Sequence, residues 1–338
     1  MISPTGASAL CVMHLNQIGD MVFSLPLLKA LRDGFPAARI HSVVKPHLKG
    51  LLADSPYVDC ILERLNGYGA IAQLVRTMRT SRFDLLISLP RSEEALIIAG
   101  LSGARLKAGF SHVPWDLTLD VKETVEGHNS WYNNRKLLRR LQVPVTKDDY
   151  VGLIKIEPRE GDSPPPTGRY AIIAPGASRR RQMKTWGYEQ FAALVAQLRK
   201  SRGLAPVIIG GDDNREYNDM LIAALRQTGA GGSDRVVDLT GADLRSLCLA
   251  IKDAALFVGI DSGFMHLASS YDIPVVALFG PTDPFYVGPQ NRRSRVVRAE
   301  GMECIPCYLR ECDHRDCMKN IRMEAVLQAC EDVLDQER

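Results

Sequence analysis

ALFVGIDSGFMHLASSYDIPVVALFG, residues 255–280, decides the architecture. ALFVGI is a short apolar run of strand length, and it stops on Asp261, Ser262 and Gly263. GFMHLASSYD then has helical spacing, with His266 about one turn in, and PVVALFG is a second apolar strand. Strand, helix and strand in direct succession make a parallel βαβ unit, and strands that are apolar throughout are covered on both faces. In such sheets ligands bind beyond the carboxyl ends of the strands. That is where this stretch carries a carboxylate, a hydroxyl, a bare backbone and an imidazole.

Working outward, the second half repeats the alternation. RYAIIAP (169–175), APVIIGG (205–211) and RVVDLTG (235–241) read as strands. The segments 187–203, 215–229 and 243–254 read as helices; the first has apolar residues at 191, 194, 195 and 198, one helical face. A last helix begins at Met323, with Val326, Leu327 and Val333 apolar. The first half alternates in the same way. SALCVMHL (8–15), ARIHSVVK (38–45) and DLLISLP (84–90) are predicted strands, and 21–35, 70–81, 92–103 and 135–141 predicted helices. Between the halves, the Pro- and Gly-dense PREGDSPPPTG (158–168) suits no element interior and reads as a linker. The sequence therefore predicts an α/β chain of two doubly wound, Rossmann-like domains, 1–157 and 169–338, facing a central cleft.

Three strand ends in the second half look specialised. APGASRRRQMKTW (174–186) has Gly176, which frees the backbone to approach a ligand, then Ser178, Arg179 and Lys184. IIGGDDNRE (208–216) ends on a glycine pair followed by Asp213 and Glu216. At the third, Gly263 opens a helix whose unpaired N–H groups and dipole favour a phosphate, with Lys184 as a point-charge partner. GPTDP (280–284) ends the next strand as a wall of the same pocket. Asp261 is read here as a cap of that helix, and Ser262 likewise. In the first half, NQIGD places Asn16, Gln17, Gly19 and Asp20 on the turn after the first strand. Asp20 suits a helix cap, and equally a general base. SLPRSEEA (88–95) contributes Arg91, and HNSWYNNRKLLRR (128–140) is a basic stretch suited to an anionic acceptor or lipid headgroups.

Taken in order, NQIGDMVFSLPLLKAL, APGAS with KTW, GIDSGFMHLA and FGPTDP resemble glycosyltransferase family 9, the ADP-heptose:lipopolysaccharide heptosyltransferases, over about residues 9 to 330. The resemblance implies a GT-B fold, with an N-terminal acceptor domain and a C-terminal nucleotide-sugar domain. It also implies an inverting transfer that needs no cofactor or metal for catalysis. Asp20 then matches the general base, and Lys184 the lysine that contacts the diphosphate. Asp261, Ser262, Gly263 and His266 match the element that holds phosphates and sugar, in which Asp261 either caps the helix or bonds a sugar hydroxyl rather than touching the diphosphate. Gly176 and Ser178 belong to the donor loop, either Asp213 or Glu216 to the ribose, and Asn16, Gln17, Gly19 and Arg91 to the acceptor. The implied partners are an ADP-sugar donor and an anionic glycolipid acceptor, lipid A bearing a Kdo/heptose core. The family's pattern has proline after the tryptophan where this chain has Gly187, and the loop before Lys184 is unusually arginine-rich.

Composition narrows the alternatives. The chain has 338 residues, 46% hydrophobic and 24% charged, with a net charge of +3. That balance is ordinary for a globular chain and too weakly basic for a nucleic-acid partner. The chain lacks a G-x-G-x-x-G fingerprint, which argues against a nicotinamide oxidoreductase. No apolar run reaches membrane-span length, and MISPTGASALCVMHL reads as a first strand rather than a signal peptide, so a cytoplasmic protein, peripheral at most on the inner membrane, is expected. Of eight cysteines, Cys304, Cys307, Cys312 and Cys317 cluster as C-x2-C-x4-C-x4-C, which suits either a structural zinc or iron site or a set of free reduced thiols.

Overall fold

In a computed structural model, which describes residues 7–227 and 236–336, the chain divides into two units, Met1–Ile156 and Glu157–Arg338. In the first, β1 (Ala9–Met13), β2 (Arg39–Val44), β3 (Cys60–Glu63), β4 (Leu85–Ser88), β5 (Leu106–Phe110) and β6 (Val121–Glu123) form one sheet. Its order is β3-β2-β1-β4-β5-β6, and every pairing is parallel. The helices are α1 (Ile18–Gly34), α2 (Lys49–Leu52), α3 (Tyr68–Ser81), α4 (Glu93–Leu101) and α5 (Ser130–Arg140). In the second unit, β7 (Tyr170–Ala174), β8 (Ala205–Gly210), β9 (Val237–Thr240), β10 (Leu256–Ile260), β11 (Val275–Leu278) and β12 (Ser294–Val297) make the sheet β12-β11-β10-β7-β8-β9, again parallel throughout. Its helices are α6 (Tyr188–Arg202), α7 (Arg215–Gln227), α8 (Leu244–Lys252), α9 (Gly263–Ser270), α10 (Pro284–Val287), α11 (Asp316–Lys319) and α12 (Met323–Asp335).

The apolar strands are covered on both faces, as their composition requires. Every residue of β4, β7, β10 and β11 is buried. The first unit's core gathers Cys11, Met13 and Leu86 with Leu74 and Met78 of α3 and Leu96 of α4. The second packs Phe191, Leu194, Val195 and Leu198 of α6 and Val326, Cys330 and Val333 of α12 against β7 and β10. Those α6 positions include the four whose spacing predicts the face. Each sheet reverses its strand order once, between β1 and β4 and between β7 and β10, and the crevice beyond such a reversal is the binding position of a doubly wound sheet.

The sequence reading misses β3, β5, β6 and β12. β6 has only three residues, β5 carries a lysine and a glycine, and none has a full apolar run. Residues 228 and 229 of the expected helix 215–229, and Arg235 of the expected strand, lie outside the described residues, as do residues 1–6 of the N-terminal stretch. Among the described residues no helix is long and apolar enough to cross a membrane.

Candidate active site

In the first unit the turn from β1 to α1 is built from inside. His14 is buried, with Nδ1 2.9 Å from Ser24 Oγ of α1 and Nε2 3.2 Å from Ser42 Oγ of β2. Burial lowers its pKa to about 3, so the ring is neutral and pins the turn to both neighbours. Asn16 is fixed from β3: the buried Arg64 guanidinium donates to its Oδ1, and His47 Nε2 lies 3.0 Å from its carbonyl. Arg64 also has Glu94 at 3.7 Å. Gln17 occupies the cap position of α1 without a side-chain bond, and Gly19 lies in the first turn.

Asp20 is not the cap; it sits within the first turn of α1 and its Oδ1 accepts a 2.8 Å bond from Ser130 Oγ of α5. The helices meet in register. One turn along α5 from Ser130, Asn134 Nδ2 donates to the Phe23 carbonyl of α1 at 3.3 Å. Burial raises the Asp20 pKa above the ordinary carboxylate value, and the Ser130 bond opposes part of that rise. Arg91 lies exposed on the β4–α4 turn, its carbonyl bonded to the His112 ring. Asn16, Gln17, Gly19 and Asp20 thus share one turn, and Arg91 follows the neighbouring strand.

In the second unit three strand ends converge. Lys184 closes a 3-10 turn, Arg179–Lys184, and its Nζ forms an ion pair with Oδ2 of Asp261. Trp186 anchors that turn: it is buried against Phe191 and donates from Nε1 to the Ile321 carbonyl at 3.0 Å. The same Asp261 oxygen accepts a 2.6 Å bond from Thr282 Oγ1 of the GPTDP segment. Of the two readings of Asp261, the cap does not hold, because Ser262 occupies the cap position of α9 and no side chain bonds there as a cap. Ser262 takes the cap position of α9, yet its buried hydroxyl has no hydrogen-bond partner among the described residues. A buried hydroxyl without a partner beside a helix N-terminus suits an anion's oxygen. His266, one turn in, is buried; desolvation lowers its pKa to about 4, Asp261 opposing, so it is neutral near pH 7.

Gly176 has a different role from that expected. A Cβ there would stand 2.5 Å from Cγ of Asn214, so the glycine makes room for that side chain. Asn214 in turn donates to the Ala177 carbonyl at 2.7 Å and accepts from the Gly211 amide at 3.1 Å, tying the β7 and β8 ends together. Ser178 is exposed at the start of the 3-10 turn. Asp213 accepts from the Arg179 amide at 3.0 Å, whereas Glu216, exposed in the first turn of α7, has no such bond among the described residues. Sequence reasoning did not reach Ser130, Arg64 or Asn214; each acts across the fold, and only the burial of an arginine after a strand could have drawn notice.

Of the two readings of the cysteine segment, the side chains as placed fit free thiols rather than a formed metal centre. Cys304, Cys307, Cys312 and Cys317 are free, and among the described residues no three His, Cys, Asp or Glu side chains are grouped as metal ligands. Cys304 is exposed, while Cys317 is turned inward, its Sγ 3.0 Å from where a Cβ on Gly280 would be. Burial, reinforced by the other three thiols, raises the Cys317 pKa. The segment instead braces the GPTDP loop: the Cys307 and Tyr308 amides both donate to the Pro281 carbonyl, at 3.0 and 2.9 Å.

This arrangement has known counterparts. Residues 71–317 match the family model of glycosyltransferase family 9 (heptosyltransferase). The chain is 25% identical over 311 residues to lipopolysaccharide heptosyltransferase 2 of Escherichia coli K12, covering 85% of this chain and 87% of that protein. It is 24% identical over 290 residues to lipopolysaccharide heptosyltransferase 3 of E. coli, covering 80% and 83%. In fold it matches the structure of E. coli ADP-heptose lps heptosyltransferase II with a TM-score of 0.80 at 21% identity, over 97% of this chain and 99% of that one. The two parallel sheets are accordingly those of a GT-B glycosyltransferase, and the chain belongs to glycosyltransferase family 9, the heptosyltransferases.

Proposed function

We propose that the protein transfers a heptose from ADP-heptose to the lipopolysaccharide inner core, with inversion at the anomeric carbon. The observation that carries the mechanism is the state of Asp20, a carboxylate held by Ser130 and made more basic by burial. Asp20 takes the proton of the acceptor hydroxyl as its oxygen attacks the anomeric carbon, and the bond to the diphosphate breaks on the opposite face. Charge then grows on the departing ADP. Lys184, the Ser262 hydroxyl and the amides at the start of α9 are the groups that meet it, without a metal ion.

Before the donor binds, Asp261 holds Lys184; with donor present the lysine turns to phosphate and Asp261 to a sugar hydroxyl. Neutral His266 donates one ring N–H to sugar or phosphate. Because Asp213 already serves the Arg179 amide, Glu216 is the residue for the ribose hydroxyls. Gly176 and Ser178 shape the donor loop, and Asn16, Gln17, Gly19 and Arg91 face the acceptor. The anionic glycolipid acceptor would bring the protein to the cytoplasmic face of the inner membrane as a peripheral visitor. The names of the relatives support the donor and acceptor classes; the residue roles rest on the geometry.

The test is ADP release from ADP-heptose with a Kdo-bearing lipid A acceptor. Release that requires the acceptor is expected. Lys184→Ala should lower turnover by about 100-fold or more, the usual cost of losing one donor to developing negative charge. No release from folded protein with this pair, nor with an already heptosylated core, would refute the assignment.

A further inference from the structure

The outer face of α3 and its neighbours carries a surface that the proposed chemistry does not use. A concavity of about 540 Å³ is lined by Ala72, Val75, Arg76, Arg79, Thr80 and Arg82. All three arginines are exposed, and among the described residues none has a carboxylate within ion-pair distance. Apolar side chains also stand exposed: Leu101 at the end of α4 is 51% exposed, and Val113 and Leu117 in the connection between β5 and β6 are 77% and 80% exposed. The basic and apolar parts adjoin. A Cβ on Gly103 would lie 3.4 Å from Cγ of Arg79, and one on Gly100 would lie 2.8 Å from Cγ2 of Thr118. Thr118 is tied to α4 by a 3.1 Å bond to the Leu96 carbonyl. Leu101 and Leu117 are thus chain neighbours of a direct contact, and Arg79 reaches the residue two places beyond Leu101.

We infer that this face docks the protein on an anionic phospholipid surface, the arginines on headgroup phosphates and Leu101, Val113 and Leu117 in the interface below them. Unpaired guanidinium groups seek phosphate, and exposed aliphatic side chains beside them gain by leaving water. A soluble acidic partner would use the arginines but leave the leucines wet. The inference deepens the proposed function, since it rests on the acceptor being a membrane glycolipid, and it names the surface that brings the enzyme to it.

The experiment is sedimentation of the full chain with vesicles of phosphatidylethanolamine and phosphatidylglycerol, and with phosphatidylcholine vesicles, neither holding acceptor or sugar nucleotide. Binding to the phosphatidylglycerol vesicles is expected, falling with added salt, and weak binding to phosphatidylcholine. The triple variant Arg76→Gln/Arg79→Gln/Arg82→Gln should lose about 100-fold in partitioning while keeping its circular dichroism and its ADP release with a water-soluble acceptor. Leu101→Ser/Leu117→Ser should weaken binding to both vesicle types. Equal binding of wild type to both vesicle types, no binding to phosphatidylglycerol, or a triple variant that binds like wild type would each overturn the inference. So would dimerisation without lipid that the leucine variant abolishes, which would assign the face to a second copy. Because vesicle binding is read without substrates, a failed heptose transfer and a failed docking surface give separate results.

Discussion

Asp20 shows how one side chain can be tuned by two opposed effects. Burial raises its pKa and the Ser130 hydroxyl pulls it back. In the proposed role Asp20 must be ionised to act, so turnover should fall as pH drops through that raised value, with the acidic limb above the ordinary carboxylate range. Ser130→Ala removes the bond that favours the charged form. The pH profile of kcat/KM should therefore shift its acidic limb further upward; an unmoved limb would separate Ser130 from the base. Asp20→Asn should cost about 100-fold or more in transfer, the scale of general-base catalysis. It should also raise Tm at neutral pH. A raised folded-state pKa contributes stability below the unfolded value and loses it as pH rises through the folded one, so the variant's advantage should close as the solution is acidified. Asp20 was legible in the sequence because it sits on a strand–helix turn. Ser130 was not: its role comes from two helices meeting across 110 residues of chain.

At the scale of elements, the cysteine segment and the GPTDP loop act together. Two amides of the segment hold the Pro281 carbonyl, and Cys317 and Met318 press on Gly280. Arg298 reaches the carbonyls of Gly280 and Thr282 at 3.4 and 3.5 Å. The loop so fixed delivers the Thr282 hydroxyl to Asp261. Thr282→Val keeps the side-chain shape and removes one bond to a charged, buried carboxylate, a loss of about 1.5–3 kcal/mol. Donor affinity should fall about tenfold or more, and Thr282→Ser should restore it. Equal affinity for the Val and Ser variants would leave Thr282 with packing alone. Gly280→Ala places a methyl 2.5 Å from the Met318 sulfur and should destabilise the chain by about 1–3 kcal/mol, read as a lower denaturation midpoint. The sequence announced the long, periodic elements: α6 carries its buried face at the spacing expected. It could not announce β6, three residues paired only because β5 lies beside them, nor the inward turn of Cys317, which a spacing rule for metal ligands cannot see.

For the molecule as a whole, two sheets of the same order carry different chemistry at the same topological position. The strand-order reversal in the first unit bears a buried carboxylate whose pKa is raised; that in the second bears a lysine, an orphaned hydroxyl and a helix N-terminus suited to anions. The fold supplies the position, and a few side chains at strand ends decide what is done there. If the proposed roles hold, proton transfer and donor binding should titrate separately. The His266 pKa of about 4 keeps that ring neutral from pH 5 to pH 8, so ADP affinity should follow only the nucleotide's own phosphate ionisation across that range, while kcat/KM shows the limb set by Asp20. Asp20→Asn should then bind ADP as wild type does, with the same stabilisation by ligand, about 2.7 kcal/mol at a hundred times Kd. Thermal shifts with ADP across that pH range, run on both proteins, make the comparison. An ADP affinity whose pH dependence differed between the two proteins, or that vanished in the Asn variant, would mean that this carboxylate serves the nucleotide, and the base would have to be sought elsewhere.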